Sequence, residues 1–101
     1  MDLSQKDWVS KLKEGKNNEL LDVRSLEEYK NEHIPNSILL DINYPREFME
    51  KLESMDKNKS YFIYCRSGNR SSKACLIMNN MGFKNTFNLL GGILEWEGKL
   101  E

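Results

Sequence analysis

Short apolar runs alternate with amphipathic stretches along the chain, and this alternation predicts strands and helices in turn. Four runs have the length and apolar content of strands, at residues 19–23, 37–40, 61–64 and 86–89. The run at 61–64 carries no charge, which predicts a strand in the middle of the sheet. Strands joined by short helical links indicate an α/β domain with a mainly parallel sheet.

The links between the apolar runs carry helix signals. A serine followed three residues later by an acid, at 4–7 and again at 25–28, resembles a capping box. We expect the first helix to end at Gly15 and the second to pack through Leu26 and Tyr29. Three further helices are expected, beginning at Pro45, after Cys65 and at Ile93.

Length and charge set broad limits on the class of protein. A chain of 101 residues with 39% hydrophobic and 31% charged residues is typical of one soluble globular domain. The formal net charge of −1 provides no field that would attract nucleic acid or an anionic membrane, so we expect neither as a partner. The absence of a signal-peptide pattern and of a long apolar segment favours a cytoplasmic location.

The chain has two cysteines, Cys65 and Cys75, and one histidine, His33. No Cys-x-x-Cys or His-x-His spacing occurs, so we expect no metal site and no cofactor. The two cysteines could instead form a disulfide, but the lack of an export signal disfavours it. Cys75 lies among apolar helix positions, which predicts a buried small hydrophobe, with a resolving thiol as the competing role.

Cys65 lies where the central strand ends and the next helix begins. Open α/β sheets bind ligands at this edge. The unpaired N–H groups and the dipole at a helix start favour a thiolate over a thiol. Arg66, Arg70 and Lys73 add positive charge nearby, which favours the thiolate further. The sequence therefore predicts that Cys65 is a nucleophile in an anion-binding cradle.

Several motifs, taken in order, resemble the signatures of the rhodanese-like domain family. They are Leu-Leu-Asp-Val-Arg at 20–24, Glu-Tyr at 28–29, His-Ile-Pro at 33–35, Tyr-Cys-Arg-Ser-Gly-Asn-Arg-Ser at 64–71, Gly-Phe at 82–83 and Leu-Gly-Gly-Ile-Leu-Glu-Trp at 90–96. The resemblance covers essentially the whole chain. It implies one rhodanese-like domain over residues 1–101, with a mainly parallel five-stranded sheet flanked by helices on both faces.

The resemblance implies a thiosulfate sulfurtransferase that works through a persulfide on Cys65. The sulfane sulfur would come from thiosulfate, a polysulfide or a persulfide, and would pass to cyanide or to a thiol. A thiol protein such as thioredoxin is an acceptor compatible with this chemistry. The main-chain amides of the loop would surround the transferred sulfur. The expected loop residues are Arg66, Ser67, Gly68, Asn69, Arg70 and Ser71.

Several roles within this loop stay open at the level of sequence. Arg66 either attracts an anionic donor or is solvated, and Arg70 either braces the loop or pairs with a surface carboxylate. Ser71 either caps the following helix or donates a hydrogen bond to the sulfur. Gly68 is expected to adopt a positive φ or to permit a close approach to the ligand.

Loop length separates this chemistry from that of related folds. Phosphatases and arsenate reductases of similar fold use a Cys-x5-Arg loop, whereas this chain has Cys-x4-Arg and a serine, Ser71, at the next position. A tighter ring suits one sulfur atom better than the four oxygens of phosphate. The residues are also compatible with a persulfide carrier acting between protein partners. An inactive interaction domain is disfavoured, because Cys65 is present.

Residues before the loop are expected to support it. Asp22 and Arg24 follow a strand and are expected to form a buried or half-buried ion pair that positions the neighbouring loop. His33 is expected to pack and to form hydrogen bonds rather than to act as an acid or base. The family usually has glycine and alanine where this chain has Asn36 and Ser37, and asparagine tolerates a left-handed backbone.

Overall fold

A five-stranded parallel sheet organises the domain, with strand order β1-β5-β4-β2-β3. The computed structural model describes all residues from 1 to 101. The elements in chain order are β1 Asp2–Leu3, α1 Gln5–Glu14, β2 Asn18–Asp22, α2 Leu26–Asn31, β3 Ile38–Leu39, α3 Pro45–Glu53, β4 Ser60–Tyr64, α4 Asn69–Asn80, β5 Asn85–Leu89 and a 3₁₀ turn at Ile93–Glu95. The predicted α/β class and parallel sheet are confirmed.

Strand β4 lies in the middle of the sheet, between β2 and β5. Its residues from Tyr61 to Tyr64 are at most 1% exposed, because side chains cover the strand on both faces. On one face β4 packs with α3 and α4, through a cluster that includes Leu52, Ile63 and Met78. On the other face Phe62 packs edge-on against Trp8 of α1. None of the helices combines the length and the apolar content needed to span a membrane.

The capping signals place two helices as predicted, because the Ser4 and Ser25 side chains accept from backbone N–H groups in the first turns of α1 and α2. The packing expected for α2 is wrong in part. Leu26 is 53% exposed and does not pack, since a helix of six residues is too short to bury a face. Helix α2 is held instead through Tyr29, whose hydroxyl donates to the Ser37 carbonyl oxygen at 2.7 Å.

The helix expected to begin at Ile93 is a single 3₁₀ turn of three residues. The Trp96 N–H donates to the Ile93 carbonyl at 3.1 Å, and the backbone of Trp96 is already extended. The prediction of a closing helix is therefore wrong in length, although it places the first residue correctly.

Strand β1 has no counterpart among the apolar runs of the sequence. Two residues are too few to show the alternation of apolar and polar positions that marks a strand. The strand forms because β5 offers a free edge. Asn88 N–H donates to Met1 O at 2.8 Å, and Leu90 N–H donates to Leu3 O at 2.9 Å. This edge strand brings the chain's amino end beside the residues that follow β4.

Candidate active site

The sulfur of Cys65 lies at the centre of a turn of main-chain amides, residues 65–71, which we call the Cys65 loop. The N–H groups of Gly68 and Ser71 donate to Sγ at N···S distances of 3.1 and 3.3 Å. Ser67, which also belongs to this loop, is exposed. The Ser71 hydroxyl lies 3.3 Å from Sγ as well. The loop is therefore arranged to hold an anionic sulfur.

These donors outweigh the effect of burial on the thiol. Burial raises the pKa of Cys65, but the hydrogen bonds from Ser71 and Gly68 favour the thiolate and lower the pKa. The net result is a pKa below the ordinary value for cysteine. Only 1% of the Cys65 surface is exposed, a depth that the sequence does not predict. The side chain is therefore almost wholly shielded from solvent.

Gly68 precedes α4 and orients the middle of the Cys65 loop. Its φ is 105°, so of the two roles that the sequence leaves open for this glycine the structure shows the positive φ. Because of this turn, its N–H points at the sulfur while its carbonyl accepts from Ser72 N–H at 3.1 Å, in the first turn of the helix. Asn69, the next residue, is exposed and begins α4. Gly68 thus orients both a sulfur donor and the helix start.

The segment after β5 fixes the other side of the Cys65 loop. Ile93 N–H donates to the Cys65 carbonyl at 3.0 Å, and Leu94 N–H donates to the Arg66 carbonyl at 3.1 Å. Gly92 has φ 56° and ψ −157°, and a Cβ built on it would lie 2.4 Å from the Arg66 carbonyl oxygen. Only glycine permits this close approach of two backbones. The Gly-Gly motif is therefore part of the site.

Arg70 is held by a bidentate ion pair with Glu28 of α2. Its two terminal nitrogens donate to the two carboxylate oxygens at 2.8 and 2.9 Å. The same carboxylate accepts from Ser25 N–H at 3.1 Å, which completes the capping box of α2. Arg70 therefore ties the end of the Cys65 loop to the start of a helix 42 residues earlier.

This ion pair predicts a pH-dependent contribution to stability. The hydrogen bonds from Arg70 are the largest cause that lowers the pKa of Glu28, from 4.5 to about 2. Because the folded-state pKa is depressed, the stabilisation is fully present above about pH 4.5 and is lost as the pH falls towards 2. We expect Glu28→Gln to lower the free energy of unfolding at pH 7 by about 1–2 kcal/mol, since solvent screens a half-buried pair.

Urea unfolding of the wild type and Glu28→Gln at a series of pH values measures this difference. It should shrink steadily below about pH 4.5. Glu27→Gln is the matched control, because Glu27 is exposed on the same helix. A difference that persists unchanged near pH 2 would contradict a role for the ionised carboxylate.

A second, fully buried network supports the strand ends beside the Cys65 loop. Arg24 donates to both carboxylate oxygens of Asp22, with a shortest N···O distance of 2.6 Å, so the predicted pair is present. Tyr64, which precedes Cys65, also donates to Asp22. The Tyr64 hydroxyl in turn accepts from Ile34 N–H at 3.1 Å. The network links the ends of β2 and β4 to the His-Ile-Pro segment.

The departure from the family pattern at 36–37 fits into this network. Asn36 has φ 69°, so asparagine supplies the left-handed backbone as predicted. The Ser37 hydroxyl lies 3.2 Å from the Tyr64 hydroxyl, and the Ser37 carbonyl accepts from Tyr29. His33 stacks on the Tyr29 ring at a centroid distance of 3.9 Å, which agrees with its predicted packing role.

Arg66 lines an open cavity of about 270 Å³ beside the Cys65 loop, together with Arg24, Glu28 and Leu94. Arg24 and Glu28 are already in ion pairs, whereas no ion pair involves Arg66. The guanidinium group of Arg66 is thus the free positive charge of this cavity.

Cys75 lies outside the Cys65 loop, in the core between α4 and the sheet. It is 4% exposed, and burial raises the pKa of its thiol to about 11. Both cysteines are free thiols, so the structure contains no disulfide between them. The prediction of a buried, small apolar residue is confirmed.

Sequence patterns do not reveal two buried partners of the site, Asn88 and the hydroxyl of Tyr64. Asn88 of β5 is 2% exposed and contacts both the Ser71 hydroxyl and the Gly68 carbonyl. The signal for Asn88 is an amide side chain in an otherwise apolar run next to Gly-Gly, because a buried amide must have hydrogen-bond partners. Tyr64 carries no such signal, since an aromatic residue at a strand end is usual in a core.

The fold and the site together define a small parallel α/β domain built around one cysteine in a cradle of amides. The family model described as the Rhodanese-like domain matches residues 5–99, and the chain belongs to this family. A crystal structure of a rhodanese-like domain protein from Staphylococcus aureus has a TM-score of 0.82 and 31% identity, covering 99% of this chain and 95% of that chain.

Two relatives from Bacillus subtilis (strain 168) differ in the role that their names give. YtwF, provisionally named a sulfurtransferase, is 40% identical over 80 residues, which cover 79% of this chain and 74% of YtwF. YrkF, provisionally named a sulfur carrier protein, is 35% identical over 82 residues, which cover 81% of this chain and 43% of YrkF. The chain thus spans less than half the length of the second relative.

Proposed function

We propose that this chain is a sulfurtransferase that moves a sulfane sulfur from thiosulfate or a polysulfide to a thiol, through a persulfide on Cys65. The observation that carries the proposal is the convergence of the Gly68 and Ser71 amides on Sγ, with the Ser71 hydroxyl beside them. The main-chain amides among these donors are fixed before the reaction and stabilise a charged sulfur without reorganisation. No separate base is needed where the thiolate already forms.

The reaction divides into two displacements. In the first, the Cys65 thiolate attacks the outer sulfur of thiosulfate, an S–S bond to Sγ forms, and sulfite leaves with the electron pair of the broken bond. In the second, an acceptor thiolate or cyanide attacks the outer sulfur, and Cys65 leaves as a thiolate. Electrons balance over the cycle, and no oxidant is consumed. Two separate half-reactions predict ping-pong kinetics.

The position of Arg70 supports sulfur over phosphate chemistry. An arginine that stabilises a transferring phosphoryl group needs its guanidinium free for the phosphate oxygens. Here both terminal nitrogens of Arg70 are occupied by Glu28. We therefore assign Arg70 to bracing the Cys65 loop, and propose that the unpaired Arg66 attracts the anionic donor into the cavity beside it.

A second candidate is a persulfide carrier that exchanges sulfur with protein partners only. Leu94 lines the same cavity as Arg66 and is 58% exposed, so an apolar side chain borders the cavity beside the Cys65 loop. YrkF bears a carrier's name. A thiol protein such as thioredoxin suits either candidate as acceptor.

The two free thiols are usual in a reducing compartment and support a cytoplasmic location.

Steady-state turnover with thiosulfate and cyanide tests the proposal and separates the candidates. A sulfurtransferase should produce thiocyanate catalytically, with parallel lines in double-reciprocal plots at varied thiosulfate. A carrier should produce none from thiosulfate and should accept sulfur only from a protein persulfide. Absence of sulfur transfer from both kinds of donor would contradict the proposed function.

A further inference from the structure

The Asn88 carboxamide is fixed in one orientation beneath the Cys65 loop. Its Nδ2 group donates to Asp2 Oδ1 at 3.0 Å and to the Gly68 carbonyl at 3.3 Å. Both of these partners are acceptors only, so the nitrogen must face them. The Oδ1 atom consequently faces Ser71, and it can only accept from the Ser71 hydroxyl.

The Ser71 hydroxyl therefore has two acceptors and one proton. Its oxygen is within hydrogen-bond distance of Asn88 Oδ1 and lies 3.3 Å from Cys65 Sγ. A neutral sulfur is a weak acceptor, so the proton then belongs to Asn88. A thiolate is a much stronger acceptor and competes for the same proton.

The charge on Sγ changes twice in each proposed cycle. Sγ is a thiolate before the first displacement, and becomes a neutral bridging sulfur once the outer sulfur is bound. It is a thiolate again when the acceptor removes that sulfur. The Ser71 hydroxyl can suit both states of Sγ only if its hydrogen bond changes acceptor when the charge on Sγ changes.

We infer that Asn88 is a positioning residue for sulfur transfer, which accepts the Ser71 hydroxyl proton while Sγ is neutral and yields it while Sγ is a thiolate. The inference rests on the proposed function for its place in the cycle. Its physical content, a competition between Asn88 and Sγ for one proton, concerns the free protein alone. The charged groups around this cluster are the Asp2 carboxylate on β1, the Arg66 guanidinium in the Cys65 loop, and Arg70 and Lys73 on α4.

Asn88→Leu tests the competition between Asn88 and Sγ for the Ser71 proton, and it leaves no buried polar group without a hydrogen-bond partner. In this variant the Gly68 carbonyl still accepts from Ser72 N–H, and the Asp2 carboxylate is exposed to water. The Ser71 hydroxyl still has Sγ as a hydrogen-bond acceptor. With its competitor removed, Ser71 donates to the thiolate alone. We expect the pH midpoint for iodoacetamide alkylation of Cys65 to fall by about half to one unit, the size of one hydrogen bond.

Asn88→Asp, made together with Asp2→Asn so that the new carboxyl group does not face a second carboxylate, should have the opposite effect. The carboxylate holds the Ser71 proton more strongly and adds negative charge near Sγ. Thr86→Val is the matched control: Thr86 is buried on the same strand, and its hydroxyl bonds to Asn79 rather than to the Cys65 loop. The control should leave the alkylation midpoint unchanged.

The decisive comparison repeats both Asn88 substitutions in a Ser71→Ala background. If Asn88 acts through Ser71, the shift caused by leucine disappears there and the shift caused by aspartate shrinks. Equal shifts in both backgrounds, or a rise in the midpoint with leucine, would overturn the inference. If the leucine variant does not fold, the aspartate pair alone decides in the same way.

The alkylation measurements contain no sulfur donor, so they are independent of the proposed function. If the effect of Asn88 on the alkylation midpoint depends on Ser71 in a protein that accepts no sulfur, the proposed sulfurtransferase function is refuted. The proton competition between Asn88 and Sγ is still supported. Sulfur transfer without coupling between Asn88 and Ser71 would refute the inference alone.

Discussion

Cys65→Ser should reduce thiocyanate formation to the uncatalysed rate while leaving the fold intact. A serine hydroxyl can accept the same hydrogen bonds from Gly68 and Ser71, so the Cys65 loop keeps its shape. It does not ionise near neutral pH and cannot carry a transferable sulfur. The expected result is complete loss of activity with an unfolding free energy close to that of the wild type.

Cys75→Ala is the control for this substitution. Cys75 lies in the core, and burial raises the pKa of its thiol, so a reaction through Cys65 does not need it. We expect the control to retain activity and to lose some stability, because it removes a buried sulfur atom. Activity that survives in Cys65→Ser, or that vanishes in Cys75→Ala with its fold intact, would reassign the nucleophile.

Gly92→Ala should be the most damaging small substitution at the site. The new Cβ would lie 2.4 Å from the Arg66 carbonyl oxygen and 2.6 Å from that of Cys65, both of them backbone atoms. The positive φ of 56° adds strain for any residue with a side chain. Strain and overpacking together predict a loss of about 2–4 kcal/mol in unfolding free energy, with activity lost through displacement of the Cys65 loop.

Gly82→Ala separates the two causes. Gly82 has φ 100°, but a Cβ there would meet only the Lys57 side chain at 3.6 Å. This control carries the conformational strain without the clash and lies outside the Cys65 loop. Urea unfolding should show the smaller loss for Gly82→Ala, and turnover should be unaffected. Similar losses of stability and activity in both variants would mean that the Gly92 contact does not position the loop.

Local sequence is enough to predict the strand-turn-helix unit around Cys65. A charge-free strand, a glycine in the turn and a following helical stretch are all encoded within residues 61–81. The amide cradle follows from that unit, because helix starts leave N–H groups free. The strands at 18–22 and 85–89 are predictable from their apolar runs, apart from one residue at their ends.

Contacts between distant residues are beyond the reach of the sequence. The Arg70–Glu28 pair spans 42 residues and the Ser71–Asn88 bond spans 17, and no pattern in one chain specifies such partners. Strand β1 has two residues and depends on pairing with β5. Leu26 occupies a position suited to packing, but α2 is too short to bury a face. The missed features are therefore those that tertiary contacts create.

Intact-protein mass spectrometry after incubation with thiosulfate tests whether Cys65 carries the transferred sulfur. We expect a gain of one sulfur atom per chain, located on Cys65, absent from Cys65→Ser and reversed by cyanide. The 1% exposure of Cys65 makes this a demanding test, because the loop must admit the donor. A wild-type chain that gains no sulfur from thiosulfate, a polysulfide or a protein persulfide, or gains it on Cys75, would contradict the account.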